Sequence, residues 1–413
     1  MNEPLTTPSP TGPLKGVKVV ELSMFMAGPT CGIMLADLGA DVIKVERVPE
    51  GDDTRRFRPP EINGEAAAFL MMNRNKRGIA VDAKSPEGLK VLQDLCLSAD
   101  IVIENFRPGT LDRLGLGYAE LAVRKPSLVY GTISGYGLTG PESKRAGLDL
   151  IAQAFSGLMS VTGEGPGRPP VKVGAPVSDT TAGMLLALGV TAAYAHVLKT
   201  GEGQHVDTSL IEAAITHSYW QSAITLATGE TPHPLGSAHP LSSPYQAFEC
   251  ADGWLVVGAP NNLNFGRIVS VLGMPGLASD PRFESNAMRL ANRALLAETM
   301  APAFLKRQRA EILAELDAQG VPSGPVNTVP EMLDHPQTRA RDMVVAAPHP
   351  AGGEVETIGC PIKFSKTPSG VFRGAPLFGQ HNEDVAREIG YSADEVAGMT
   401  ERRVFQQQEK NHG

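Results

Sequence analysis

Along the first third of the chain, short apolar runs alternate with amphipathic stretches. "VKVVEL" (17–22), "DVIKVE" (41–46), "GIAVDA" (78–83), "DIVIENF" (100–106) and "SLVYGTISGYG" (127–137) have the length and β-branched content of strands. An apolar helical stretch through "CGIMLADLG" separates the first two. "SPEGLKVLQDLCLSA" separates the third and fourth, with Ser85 as cap and Pro86 in the first turn. Strand, helix, strand in repetition predicts a parallel sheet, so the first ~140 residues read as a doubly wound α/β domain.

Beyond that the pattern changes twice. Residues 184 to 225 read as strongly helical, whereas 231–260 carry Pro and Gly punctuation followed by short strands, which marks a boundary. Helices at 289–320 precede a loop-rich return at 320–338. "MVVAAPHP" and "GEVETIGCPIKFS" then look like strands in the tail. No internal repeat of fixed period is present. A chain of 413 residues exceeds what one ordinary core fills, which agrees with two domains.

Charge and cysteine content narrow the function. The formal net charge is −8, and the basic residues are interspersed among acidic ones rather than gathered in a stripe, which excludes a nucleic-acid partner. Cys31, Cys96, Cys250 and Cys360 are far apart with no C-x-x-C pair, so they read as buried, reduced thiols and not as a zinc site or disulfide framework. "MNEPLTTPSPTGP" lacks the basic start and apolar core of a signal peptide. The longest apolar run, Met184 to Leu198, falls short of the ~18 residues of a membrane span and contains His196. The expectation is a soluble, cytoplasmic protein without a membrane partner.

Several chemistries can be tested on motifs. The turn after the first strand, "MAGPT", has Gly28 alone where a dinucleotide fingerprint needs three glycines, although a helix starting at Pro29 leaves N–H groups for an anion. Arg74, Lys76 and Arg77 stand just before a strand, and Arg107 and Arg113 just after another. With Arg47 they form a candidate phosphate cluster, each residue having a solvated surface charge as its alternative. His205, His217, His233 and His239 have no i, i+4 partner, and neither H-E-x-x-H nor G-x-S-x-G occurs, so no metal is expected.

Asp179, in "VGAPVSDTTAGM" (173–184), opens a long apolar helix. It or Ser178 reads as a cap worth ~1 kcal/mol. The alternative is a carboxylate nucleophile, held ionised by the helix dipole, with Gly174, Ala175, Ala182 and Gly183 leaving room for an acyl group.

Taken together, "PLKGVKVVEL", "MAGPTCGIMLADLGADVIKVER", "GDDTRR", "NRNKRGIAVD", "ENFRPGTLDRLGLGY", "ISGYGLTGP", "RAGLDLIAQAFSGLMSVTG", "VSDTTAGM", "KTGEGQHVDTSL" and "FGQHNEDV" resemble the class III coenzyme A transferases, the family of formyl-CoA transferase and carnitine CoA-transferase, from about residue 13 to about 396. The resemblance implies that Asp179 is the catalytic nucleophile, forming mixed anhydrides and an aspartyl-CoA thioester, with CoA as co-substrate and no permanently bound cofactor. It implies CoA contacts at Met26, Ala27, Arg47, Val81, Asp82, Ala83, Lys84, Asn105, Phe106, Arg107 and Arg113. Asp149 matches an acidic position near the reacting centre in relatives, a possible supporting residue.

It further implies a Rossmann-like large domain built from 1–225 and completed by 331–413, a smaller α+β domain at 226–330, and an interlocked homodimer. Racemases of the superfamily carry a His-Asp pair where this chain has Leu148-Asp149, which removes one of the two proton-transfer groups racemisation needs. "GSAHPLSSPYQAF" (236–248) is not the glycine-rich loop of oxalate-using relatives. It resembles the branch that passes CoA from succinyl-CoA to dicarboxylic acids, with His239 a candidate for the acceptor's distal carboxylate. A loop histidine on the surface is the competing reading, and a non-catalytic acyl-CoA-binding protein is the competing function.

Overall fold

The computed structural model describes residues 11–408, so most of the leader stretch at 1–13 lies outside the described residues. Two compact units emerge. The first takes the chain up to Ser156, Val173–His217 and the chain from Pro336; the second takes Gly157–Lys172 and Ser218–His335. The segment 157–172, expected in the large domain, thus groups with the second unit.

The first unit is built on six strands: β1 (Lys18–Leu22), β2 (Asp41–Arg47), β3 (Arg77–Val81), β4 (Ile101–Glu104), β5 (Val129–Ser134) and β6 (His205–Ser209). Their order is β3-β2-β1-β4-β5-β6, and every neighbouring pair is parallel. That is the order of a doubly wound sheet, in which ligands settle outside the carboxyl ends of the strands. The sixth strand corrects the sequence reading of 184–225 as helix. "HVDTS" is only partly buried at the sheet's edge, so it lacks the apolar run that exposes inner strands to a pattern search.

Five helices of this unit flank the sheet or carry candidate site residues: α1 (Ala27–Asp37), α2 (Pro86–Ser98), α3 (Tyr118–Arg124), α4 (Asp149–Phe155) and α5 (Val177–Thr200). Successive strand residues face opposite sides. On one side Val20, Ile79, Val102 and Tyr130 share a core with Val91 and Leu95 of α2, Leu121 of α3, and Val385, Val396 and Met399 from the carboxyl-terminal helices. On the other side α5 packs on α1, β5 and β6. Ser85 caps α2 through the Gly88 N–H, with Pro86 in the first turn.

The first unit's α5 is longer than the apolar run inside it. Its 24 residues, with a mean hydropathy of 1.5 over the best window, reach membrane-span length and composition, although it packs on the sheet. This corrects the estimate drawn from Met184–Leu198 alone. The second unit has an antiparallel sheet of Tyr245–Cys250, Gly253–Gly258 and Ser323–Pro325. Phe248, Leu255, Phe265, Met300 and Phe304 lie in its core, with the Phe248 and Phe304 rings stacked at 4.4 Å.

Candidate active site

The residue ahead of α5 is Pro176, whose side chain caps nothing, and the cap is supplied from α4. Asp149 Oδ1 accepts the Ser178 N–H at 2.9 Å, while its Oδ2 accepts from Gln153 Nε2 at 2.7 Å. Gln153 is fully buried and also accepts the Val173 N–H at 2.9 Å. A carboxylate one helical turn from a glutamine at i, i+4 is a pairing the sequence "DLIAQ" carries, and it is the signal by which Gln153 could have been found.

Asp179 therefore is not the cap, which overturns that reading. Its carboxylate accepts no hydrogen bond among the described residues. Burial first, and then the charge of Asp149, push its pKa up to about 6. Both disfavour the ionised form, opposite in sign to the hold expected of a helix dipole. The group is still ionised by roughly ten to one at pH 7, and poor solvation with no donor leaves its lone pairs free.

Of the small residues near Asp179, Gly174 and Ala175 are exposed, with open space around Gly174, whereas the two on the helix leave no spare room. Ala182 and Gly183 are buried against α1, and a Cβ on Gly183 would stand 2.6 Å from the Ala27 carbonyl oxygen and 2.5 Å from Thr30 Cβ. Close approach of the two helices brings Asp179 to the start of α1. That start is equally tight, since a Cβ on Gly28 would meet Ser23 Cβ at 2.4 Å and Asn105 Cγ at 3.1 Å. Phe25, ahead of it, holds a left-handed φ of 64°, a strained conformation for a bulky side chain, and donates its N–H to Asp52 at 3.4 Å.

Asp179 opens into a cavity of about 500 Å³ walled by Met24–Ala27, Asn105–Pro108, Arg145–Leu148 and Leu210. Met26, Ala27, Asn105, Phe106 and Arg107 thus come together with Asp179. Asn105 ties two walls, accepting the Met24 N–H at 3.0 Å and donating to the Met24 carbonyl at 2.8 Å. The other proposed CoA contacts do not line this cavity. Arg47 ends β2 and pairs with Asp53 at 2.7 Å, and Val81, buried, ends β3. Asp82 accepts the Lys84 N–H at 3.0 Å, and Ala83 packs against the core beneath. Arg113 donates to Thr110, another residue of the cavity wall, at 3.3 Å.

Arg145, which motif reading left without a role, lies over the Tyr136 ring at 5.2 Å and pairs with Glu142 at 2.9 Å. His239 belongs to the second unit, where its ring stacks on Tyr245 at 5.1 Å and its Nδ1 accepts the Leu241 N–H at 3.1 Å.

The remaining basic cluster does not survive. Arg74 is bound to Asp37 at 2.6 Å, Arg77 to Asp41 and Glu388 at 2.6 Å each, and Lys76, fully buried, to Glu21 at 2.7 Å. These cations are consumed inside the fold and cannot reach a phosphate. All four cysteines are free and buried, and no group of three metal-ligating side chains occurs among the described residues.

The sequence profile of CoA-transferase family III matches residues 14–382. A succinate–glutarate CoA-transferase of Agrobacterium fabrum is 38% identical over 92% of this chain and 97% of its own length. A succinyl-CoA–D-citramalate CoA-transferase of Chloroflexus aurantiacus is 35% identical over 97% of this chain and 100% of its own. Among solved structures, a CAIB/BAIF family protein from Brucella suis has a TM-score of 0.82 and 39% identity over 92% of this chain and 100% of that one.

Proposed function

The chain belongs to CoA-transferase family III and is an enzyme of that family, and from that premise we propose that it passes CoA from succinyl-CoA to a free dicarboxylic acid through covalent intermediates on Asp179. The observation that carries the reading is the spare carboxylate. Asp149 serves the helix start, so Asp179 stands in the cavity wall with no hydrogen bond of its own among the described residues.

In the proposed sequence, Asp179 attacks the donor thioester carbonyl, forming a mixed anhydride and expelling CoA thiolate, which stays bound. The thiolate attacks the aspartyl carbonyl of the anhydride, giving an aspartyl-CoA thioester and free succinate. The acceptor carboxylate attacks that thioester, and the thiolate then attacks the acceptor carbonyl of the second anhydride, restoring Asp179. Every nucleophile and leaving group is an anion, so no proton has to move. A cavity wall without histidine suits such chemistry. Met26, Ala27 and Asn105–Arg107 hold the thioester end of CoA, and Arg47, Arg113 and the 81–84 turn hold its nucleotide.

The relatives named for succinate–glutarate and for succinyl-CoA–D-citramalate exchange have the succinyl group in common and differ in the other acid, which supports the donor more narrowly than the acceptor. His239 is assigned to the acceptor's distal carboxylate on the likeness of its loop to that branch. The protein acts as a cytoplasmic, interlocked homodimer. Support for the second copy comes from apolar side chains left exposed, Met184, Leu188 and Leu198 on α5 and Tyr219, Trp220 and Leu226 on the helix Tyr219–Thr228. A panel of acyl-CoA donors against free mono- and dicarboxylates, with Asp179→Ala as control, tests the assignment. Exchange confined to succinyl-CoA and dicarboxylates is expected; full activity in the variant overturns the covalent route.

A further inference from the structure

On the face of the sheet opposite α5, a second cavity of about 340 Å³ shares Arg107, Pro108 and Thr110 with the first. Its floor is Glu104, the last residue of β4, only 7% exposed and without a cationic partner among the described residues. Glu104 Oε2 accepts the Phe106 N–H at 2.7 Å. Thr132 is the register neighbour of Glu104 on the adjacent strand, and its Oγ1 lies 2.9 Å from His205 Nε2. The three residues come from the adjacent strands β4, β5 and β6.

We propose that Glu104 is a positioning residue of the thioester cavity: through the Phe106 N–H it holds the Asn105–Arg107 turn. The turn it holds carries Asn105, which pins Met24, and the Arg107 guanidinium, so its geometry reaches both walls of the first cavity.

The groups around Glu104 are Thr132 and Tyr130 from β5, His205 and Asp207 from β6, Arg107 and Asp112 from the following turns and Tyr118 from α3. Burial, and after it the charges of Asp112 and Asp207, raise the Glu104 pKa to about 7. Burial lowers that of His205. An ionised carboxylate is the stronger acceptor for the Phe106 N–H, so the turn is held more firmly above pH 7 than below it.

The proposal rests on the CoA-transferase reading, and its test separates the two. CoA itself is titrated calorimetrically into the unaltered protein, Glu104→Ala and Glu104→Gln between pH 5.5 and 8.5, beside the succinyl-CoA exchange assay. Glu104→Ala is expected to bind CoA about tenfold more weakly, with KM raised and kcat little changed. Glu104→Gln keeps an acceptor for the Phe106 N–H, so it restores affinity near that of the unaltered protein at pH 6 and loses the change in affinity centred near pH 7. Equal CoA affinity in the alanine variant overturns the proposal. A pH response that the glutamine variant retains overturns it too, since the response then belongs to the nucleotide's own phosphate; this arm decides the matter if the alanine variant does not fold. CoA binding without exchange sinks the transferase reading alone, and no CoA binding by the unaltered protein sinks both.

Discussion

The two edges of the parallel sheet treat their cations in opposite ways. At the amino-terminal edge Arg77 lies between Asp41 and Glu388, and Arg74 pairs with Asp37 beneath α1. At the carboxyl edge Arg107 and Arg113 are exposed, and Arg47 has, among the described residues, only the surface partners Asp53 and Glu50. A basic run just before a strand and one just after it look alike as sequence. In a parallel sheet they fall on opposite edges, and only the carboxyl edge has the crevice where ligands bind. Lys76 adds a second lesson, because a lysine with no exposed surface and a carboxylate at 2.7 Å holds the fold rather than a ligand.

The sharpest way to probe the carboxyl edge is at its nucleophile. Asp179→Asn is expected to lower CoA exchange by at least about 10⁴-fold while CoA still binds, measured by exchange assay and calorimetry. The same variant removes a charge that folding buries. The carboxyl titrates at about 6 in the folded protein against an ordinary 3.8, so the stability it contributes is complete below pH 3.8 and is lost as pH rises through 6. Asp179→Asn should therefore unfold at a higher temperature than the unaltered protein at pH 8, by ~1 kcal/mol, with the gap closing at acid pH.

At the inner cluster, Lys76→Met removes the nearer of the two buried lysines on Glu21, leaving Lys44 at 3.1 Å, and should cost about 3 kcal/mol in denaturant unfolding, with the CoA affinity of the folded protein unchanged. The smallest effect belongs to the exposed side. Arg107→Ala should weaken CoA about tenfold and leave unfolding within about 0.5 kcal/mol of the unaltered protein. If Lys76→Met weakened CoA, or Arg107→Ala destabilised the fold as much as Lys76→Met, the contrast between buried and exposed cations would fail.

Much of the frame was legible because its signals are local. Apolar β-branched runs marked β1 to β5, and Ser85 with Pro86 marked the start of α2. β6 was missed because an edge strand needs no apolar run. Asp179 was singled out as the candidate nucleophile and does line the cavity, yet its local surroundings were misread. The cap comes from Asp149, on a separate helix, and the glycine beside Asp179 serves helix contact.

Periodicity and ordered blocks of neighbouring residues were enough to establish most of the elements, the winding of the sheet and the family. Which basic residues stay free, and what holds the start of α5, were settled in three dimensions. So was the hold of Glu104 on the Phe106 N–H beside the Thr132–His205 pair. The reason is physical: hydrogen bonds, desolvation and ion pairing depend on distances between residues far apart in sequence, and those distances exist only once the sheet has closed and the helices have packed on it.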